Sequence, residues 1–472
     1  MSDLVHSNGW RQVVQSQGFK VVVLVVMCGS VYANLAHGVT DPRDYRYFPP
    51  FRSGYNRNLV DHLGAEYLNV ARAICSGRGF ADPFDRETGP TAWMPPVLPY
   101  LLAGFWCATG GNLDAVTNVF VGLHCAALVW TGAFVLYAWR RDRPRYGAGL
   151  VVIVLVLEVV VDFRNAFQIT HDHFLVLSVL NGLVLWAGWG YPLVSRPRAV
   201  GWGLFGGFAA LSAPTLGLVW AGLTLVAGIH MKTVSRIILT SFCAGATVTP
   251  WMVRNYATFG RMIPIKSNAN FELYQSQCMQ PDGVLQQSSI GMHPRSTNSE
   301  QAREYDELGE DAFLARKGDQ FRAAVRADPE GFAARVGDRF IAVVLWYTPR
   351  DRSGLREFAP GVWLARALHP LPWIAVVVIV LAIGRPPTPG ERVAALAAVL
   401  YVLPYILVSY DDRYYYPLLG LRTLLVLFLV DRLVECVRLR SLVSNPAERA
   451  FRRPANRILP AGSPSAGESG RG

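Results

Sequence analysis

The sequence predicts an all-α polytopic membrane protein with about 10 transmembrane helices, interfacial helices on its outer face and two long outer loops. Three observations carry this prediction. Of 472 residues, 51% are hydrophobic and only 17% are charged, where soluble domains run near a quarter charged. Apolar runs recur along most of the chain and are separated by short loops of alternating character. The chain is also longer than its spans require: ten helices of about 20 residues use about 200 residues, which leaves more than half the length to build something else. This balance excludes an ordinary soluble enzyme, a disordered chain and a coiled coil.

The apolar runs occupy residues 19–35, 116–138, 148–161, 174–189, 202–211, 215–229, 237–251, 371–383, 393–408 and 418–430. Several are shorter than a full crossing, so their ends must extend into flanking residues. The first follows Arg11 and Lys20 and precedes no small-residue cleavage site, which reads as a retained signal anchor. Short loops carrying Arg140, Arg141, Arg143 and Arg145, then Arg196 and Arg198, then Lys232 and Arg236, then Arg385 and Arg392, alternate with loops at 162–173, 212–214 and 410–417. The basic set belongs in the cytoplasm. Ten spans then place both termini there, in a cell (inner or plasma) membrane. The net charge of +11 is accounted for by this orientation signal, and no nucleic-acid partner is expected. The core domain covers 1–435. The tail 436–472 is basic, then rich in Pro, Ser and Gly, and reads as disordered.

Residues 38–114 and 252–370 form the two long outer segments. Both are longer than the loops that the positive-inside rule governs. The apolar stretch 94–106 reads as a helix lying at the outer surface, because counting it as a span would invert every later loop. Residues 311–346 mix charged and apolar positions at helical spacing, interrupted at Pro329, and read as interfacial helices. The seven cysteines form no CxxC pair, so a zinc site or disulfide scaffold is not expected. The sequence leaves room for one bond, Cys75 to Cys278, without supporting it.

Candidate chemistry sits at four places. Glu66 and Tyr67 open a helical stretch, 66–73, that runs into Gly77-Arg78-Gly79-Phe80, and a Gly- and Pro-rich path follows to Pro96. Thr170-His171-Asp172-His173 stands where a span begins. His171, Asp172 and His173 could ligate a metal, but Asp172 or Thr170 more simply caps the helix. Arg254 and Asn255, with Lys266 further on, lie just outside another span. Arg254 and Lys266 either snorkel to head groups or clamp a phosphate. Asp411-Asp412-Arg413 leads into three tyrosines that suit an interfacial aromatic belt.

Taken in this order, Ser76–Phe80 with Thr88–Pro96, and Pro250–Asn255 with Phe259-Gly260, resemble the GT-C superfamily of polyprenyl-phosphate-dependent membrane glycosyltransferases, which includes protein O-mannosyltransferases and the aminoarabinose transferase of lipid A. The resemblance extends to about residue 435. It implies a GT-C-like fold with catalytic carboxylates in the first and second outer loops, matched here by Glu66 and Asp172. It also implies Arg254, Lys266 and Arg413 as contacts for the lipid phosphate, and His171, His173, Tyr67 and Asn255 as further substrate contacts. The family's acidic pair before the first helix is absent, since those positions hold Leu63 and Gly64, and Asp61 is the reserve acid. An Arg common before the Pro-Thr of the third outer turn is replaced by Ala213.

The implied reaction needs a polyprenyl-phosphate sugar donor, an envelope acceptor (lipid, glycan or protein) and the bilayer. No organic cofactor is expected. A divalent cation has a place in it, with Glu66, Asp172 and His173 as its ligands. No G-x-G-x-x-G or Walker sequence is present, which suits a lipid-linked donor. The alternative is a transporter or lipid flippase, which predicts ionisable residues inside the spans and internal repeats. Glu158 is the clearest such residue, and no repeat is evident. A non-catalytic scaffold is a third reading.

Overall fold

The computed structural model describes residues 9–40, 63–142, 148–162, 171–286, 288–350, 352 and 360–444. The described residues are helical, with two isolated β-bridges, Ala81 to Pro90 and Val284 to Tyr410, and no strand. The helices are α1 Gln17–Thr40, α2 Ala65–Cys75, α3 Val97–Ala108, α4 Leu113–Asp142, α5 Ala148–Val161, α6 His173–Trp189, α7 Arg196–Ser212, α8 Pro214–Met231, α9 Val234–Phe259, α10 Ala269–Cys278, α11 Glu300–Ala327, α12 Pro329–Phe340, α13 Pro360–Leu368, α14 Leu371–Val380, α15 Pro389–Leu407 and α16 Leu419–Ser444. A π-helical turn, Ile341–Leu345, follows α12, and a 3₁₀ turn, Asp412–Leu418, precedes α16. Each apolar run falls wholly or mostly on one of these helices; residues 381–383 and 408 lie past the ends of α14 and α15, and Leu418 lies in the 3₁₀ turn. Among the described residues, five stretches are long and apolar enough to cross a membrane: Ala115–Asp142, Pro214–Met231, Val234–Phe259, Pro360–Val380 and Pro389–Leu407. The molecule is therefore a helical membrane protein.

Helix starts follow the local chemistry. Thr388, Pro389 and Glu391 open α15 with a full capping box: the Thr388 hydroxyl accepts from the Glu391 N–H, and the Glu391 carboxylate accepts from the Thr388 N–H at 2.8 Å. Ser299 caps α11 by accepting from the Ala302 N–H, and Asp328 caps α12 through the Gly331 N–H. Close packing follows from small residues. On α7, Gly203 and Gly207 lie against α9. A Cβ on Gly203 would collide with the Thr240 carbonyl, and one on Gly207 would lie 2.8 Å from the Ala244 carbonyl. The small residues let the two backbones approach closely, as small-residue faces do between packed helices.

One large apolar core joins the spans and includes Trp139, Trp202, Tyr401 and Phe428. A separate aromatic cluster of Phe84, Trp93, Phe271, Tyr305 and Phe313 welds the first outer segment to α10 and α11. Its polar centre is Glu310, buried, which accepts from Thr91 Oγ1, from the Ala92 N–H at 2.9 Å, from Ser267 Oγ at 2.7 Å and from Tyr305 Oη at 3.0 Å. At the opposite end of α15, the buried Glu391 carboxylate takes Arg385 at 2.5 Å and Arg432 at 2.9 Å, and Arg385 also reaches Asp431 at 2.8 Å.

Two expectations are corrected. Cys75 is bonded to Cys107, with 5.8 Å between Cα atoms, and Cys278 is free and exposed. The bond ties the end of α2 to the end of α3, two helices that pack side by side; sequence spacing alone did not show this adjacency. Asp172 stands at the N-cap position of α6, but its side chain makes no capping hydrogen bond, because the carboxylate accepts a bond from another helix. Thr170, Arg143, Arg145, Asp61 and residues 445–472 lie outside the described residues. Helix α16 continues through Ser444, past the expected boundary at 435.

Candidate functional site

A cavity of about 270 Å³ opens where α2, α6, α8, α10, α15 and the 3₁₀ turn meet. Its lining includes Glu66, Tyr67, His171, Asp172, His173, Lys266 and Arg413. Seven of the site residues expected from sequence are therefore brought to one place from segments far apart in the chain.

Glu66 lies in the first turn of α2, where the unpaired N–H groups favour a carboxylate. Gly64, just before it, has φ +74°, and a Cβ there would stand 2.6 Å from the Tyr67 ring. This geometry explains why no acidic residue occupies position 64: the turn into α2 needs a left-handed residue without a side chain. Tyr67 Oη donates to Asp172 Oδ2 at 3.1 Å, so α2 carries both one carboxylate and the group that orients the other. Burial raises the Tyr67 hydroxyl well above its ordinary value, and the nearby Asp172 charge raises it further. It stays a neutral donor.

His171 Nδ1 lies 3.1 Å from a guanidinium nitrogen of Arg413. Arginine only donates, so this ring nitrogen must accept and Nε2 carries the proton. Burial, with Arg413 next in size, lowers His171 well below the usual histidine value. Arg413 also stacks over Tyr414, 5.2 Å from its ring centre. Among the described residues Lys266 has no ion-pair partner, and its ammonium is available to an anion.

Arg254 and Asn255 do not line this cavity. The Arg254 guanidinium donates to the Thr91 carbonyl at 2.7 Å, the Phe80 carbonyl at 2.6 Å and Asn255 Oδ1 at 3.0 Å, and it stacks over Trp251. Asn255 is buried and donates to the Ile263 carbonyl at 2.9 Å. Arg254 thus ties α9 to residues 80–91, and Asn255 ties it to the link that follows the helix. Among the described residues, no three His, Cys, Asp or Glu side chains converge as a ligand set.

Sequence reasoning missed Glu272 on α10, His293 and Tyr405 among the lining residues, and took Tyr414 for part of an aromatic belt. Glu272 and His293 sit in the second outer segment without a surrounding motif. His293 Nδ1 accepts the Arg295 N–H at 3.2 Å, and its ring meets Phe84, Trp93 and Phe271 edge to face. Burial pushes His293 down to about 4, against an opposing pull from Glu66.

The arrangement offers three carboxylates, Glu66, Asp172 and Glu272, for proton transfer, a lysine and an arginine for an anion, and neutral imidazole and phenol donors between them. Compared with known protein families, characterised proteins and solved structures, the chain matches none of them.

Proposed function

We propose that this protein is an integral membrane glycosyltransferase that moves a sugar from a polyprenyl-phosphate donor to a hydroxyl of an envelope acceptor. The observation that carries the reading is the shared cavity: Glu66 and Asp172 face the same space as Lys266 and Arg413. The motif order that resembles GT-C enzymes supports it. In this reading ten helices cross the membrane, both termini are cytoplasmic and the cavity opens on the outer face. The cavity wall reaches into helices of the bundle, through Val176, Thr215, Tyr401 and Pro404, which suits a donor held in lipid.

In the proposed reaction Glu66 takes the proton of the acceptor hydroxyl as that oxygen attacks the anomeric carbon. The bond from that carbon to the phosphate oxygen breaks, and the electron pair leaves with the lipid phosphate. The displacement inverts the anomeric centre. Lys266 and Arg413 meet the charge that develops on the phosphate. Asp172, held by Tyr67, orients the acceptor or shares the base role.

Glu66→Gln and Asp172→Asn should each lower sugar transfer by roughly 10²–10⁴-fold, the usual worth of a general base, while expression and unfolding temperature stay unchanged. A fully active double variant would remove the assignment. In a deletion strain, mass spectrometry should find one polyprenyl-phosphate sugar accumulating. A transporter is the second reading, favoured by the buried cluster in which Arg422 meets Glu158 at 3.2 Å and also Asp162. Its signature is a lipid-linked sugar moved across the bilayer with no glycosidic bond made.

A further inference from the structure

A second chamber, of about 70 Å³, adjoins the main cavity, and the two share Glu66, His171, Glu272, His293, Arg413 and Tyr414. The chamber adds Arg295 and Arg350, with Gln275, Ser289 and Asp411. Three guanidinium groups from three separate segments thus border a space of about the size of one phosphate or carboxylate group. Three carboxylates border it too, but Asp411 is taken up by Arg350 at 3.4 Å and by Arg413 at 3.8 Å. Burial raises the Asp411 carboxyl, but Arg350 and Arg413 outweigh this and hold it below its usual value, so it stays charged.

The balance of hydrogen-bonding groups is less even than the balance of charge. His171 is 5% exposed, and its Nε2 has no partner. Because its Nδ1 must accept from Arg413, the orphan Nε2 is a donor. The Nε atoms of Arg350 and Arg413 are likewise buried without hydrogen-bond partners. Buried donors left unmatched are costly, and an oxyanion in the chamber would satisfy them.

The two spaces also differ in what surrounds them. Residues of the bundle helices α6, α8 and α15 line the main cavity. The side chamber is lined by α2, α10, His171 just ahead of α6, Asp411 and the 3₁₀ turn that follows it, and residues between 285 and 350; Lys266 does not reach it. Glu66 borders both.

Resting on the glycosyltransferase reading, we propose that this chamber is an acceptor subsite that grips an anionic group, phosphate or carboxylate, close to the hydroxyl that Glu66 deprotonates. The acceptor is then an acidic glycan or head group approaching from the water side, while Lys266 serves the donor phosphate on the lipid side.

The test measures binding without turnover. The full-length protein in nanodiscs is titrated with inorganic phosphate and with glucuronate, read by thermal unfolding and by ³¹P line broadening. Saturable binding is expected, weakened about tenfold or more by Arg295→Gln, largely kept by Arg295→Lys and unaffected by Lys266→Gln. His171→Ala should weaken it as well. Absence of saturable binding overturns the proposal. So does equal weakening by Lys266→Gln, which would put the anion in the main cavity. So does displacement of phosphate by farnesyl phosphate in the Lys266→Gln variant, which would make the chamber the donor's own phosphate site. If Arg295→Gln unfolds, the Arg295→Lys and His171→Ala titrations decide the matter. Anion binding that obeys these variants, in a protein that transfers no sugar, would sink the glycosyltransferase reading and leave the subsite standing.

Discussion

Glu310 shows how much one side chain can hold. Four donors from the first outer segment, from the link after α9 and from α11 converge on its carboxylate, which is 6% exposed. Removing it leaves those donors buried and unmatched. Glu310→Ala is expected to cost about 3–5 kcal/mol, seen as a large fall in unfolding temperature in detergent, and Glu310→Gln less. Gly64 acts by what it lacks. Gly64→Ala forces a side chain onto a left-handed backbone and into the Tyr67 ring. A cost of about 1–2 kcal/mol should come with a larger loss of transfer, because Tyr67 orients Asp172. The histidines set a pH response. His171 and His293 both sit below the ordinary value near 6.5, His293 at about 4. Between pH 6.5 and 4 the unfolded chain therefore binds protons that the folded chain does not, so stability is complete above about 6.5 and declines as pH falls through that window. The charged groups around them are Arg413, Arg350, Arg295 and Glu66. A titration of unfolding temperature checks the window, and His293→Gln should flatten part of it.

At the level of elements, the disulfide joins α2 to α3 across a sequence separation of 32. Loop-closure entropy puts the worth of such a bond at about 2–4 kcal/mol. Replacing both Cys75 and Cys107 by Ala should lower stability by that amount and loosen the helix that carries Glu66. Cys278→Ala should change it by less than about 0.5 kcal/mol. Non-reducing peptide mapping should recover the Cys75–Cys107 pair. The helices themselves were legible, because a bilayer demands long apolar stretches with internally paired backbones, and such stretches leave a plain trace in composition. Side-chain destinations were less so. Arg254 beside a span looks the same in sequence whether its donors meet a phosphate or the carbonyls of Phe80 and Thr91, which lie 174 and 163 residues away. Asp172 stood where a cap belongs, and only the placement of α2 revealed that Tyr67 claims it. Glu66, His171, Lys266 and Arg413, which the sequence grouped by motif order, line one cavity. Arg295, Arg350 and His293 carried no motif, and only folding of the second outer segment gathers them.

Across the whole molecule, the two ends of the bundle are held differently. The end away from the cavity is pinned by a buried ionic knot: Glu391 and Arg432 are fully buried, Arg385 bridges Glu391 and Asp431, and Asp142 accepts from Trp189 at 2.8 Å and Thr388 at 2.9 Å. The knot joins α4, α6, α15 and α16. Arg432→Met removes one of the two guanidinium groups that meet Glu391 and should cost about 3–5 kcal/mol. Glu391→Leu combined with Arg432→Met should recover much of that loss, measured by unfolding in detergent. The cavity end is completed by Arg413, which meets His171 from 242 residues further along the chain. At about 5–20 residues per second, a ribosome needs about 12–50 s to travel that distance. Throughout that interval the nascent chain holds His171 and Asp172 without the 3₁₀ turn that covers them. The cavity is consequently completed late in synthesis, and a chain released before the 3₁₀ turn carries most of the helices but lacks Arg413 and the wall it builds against His171.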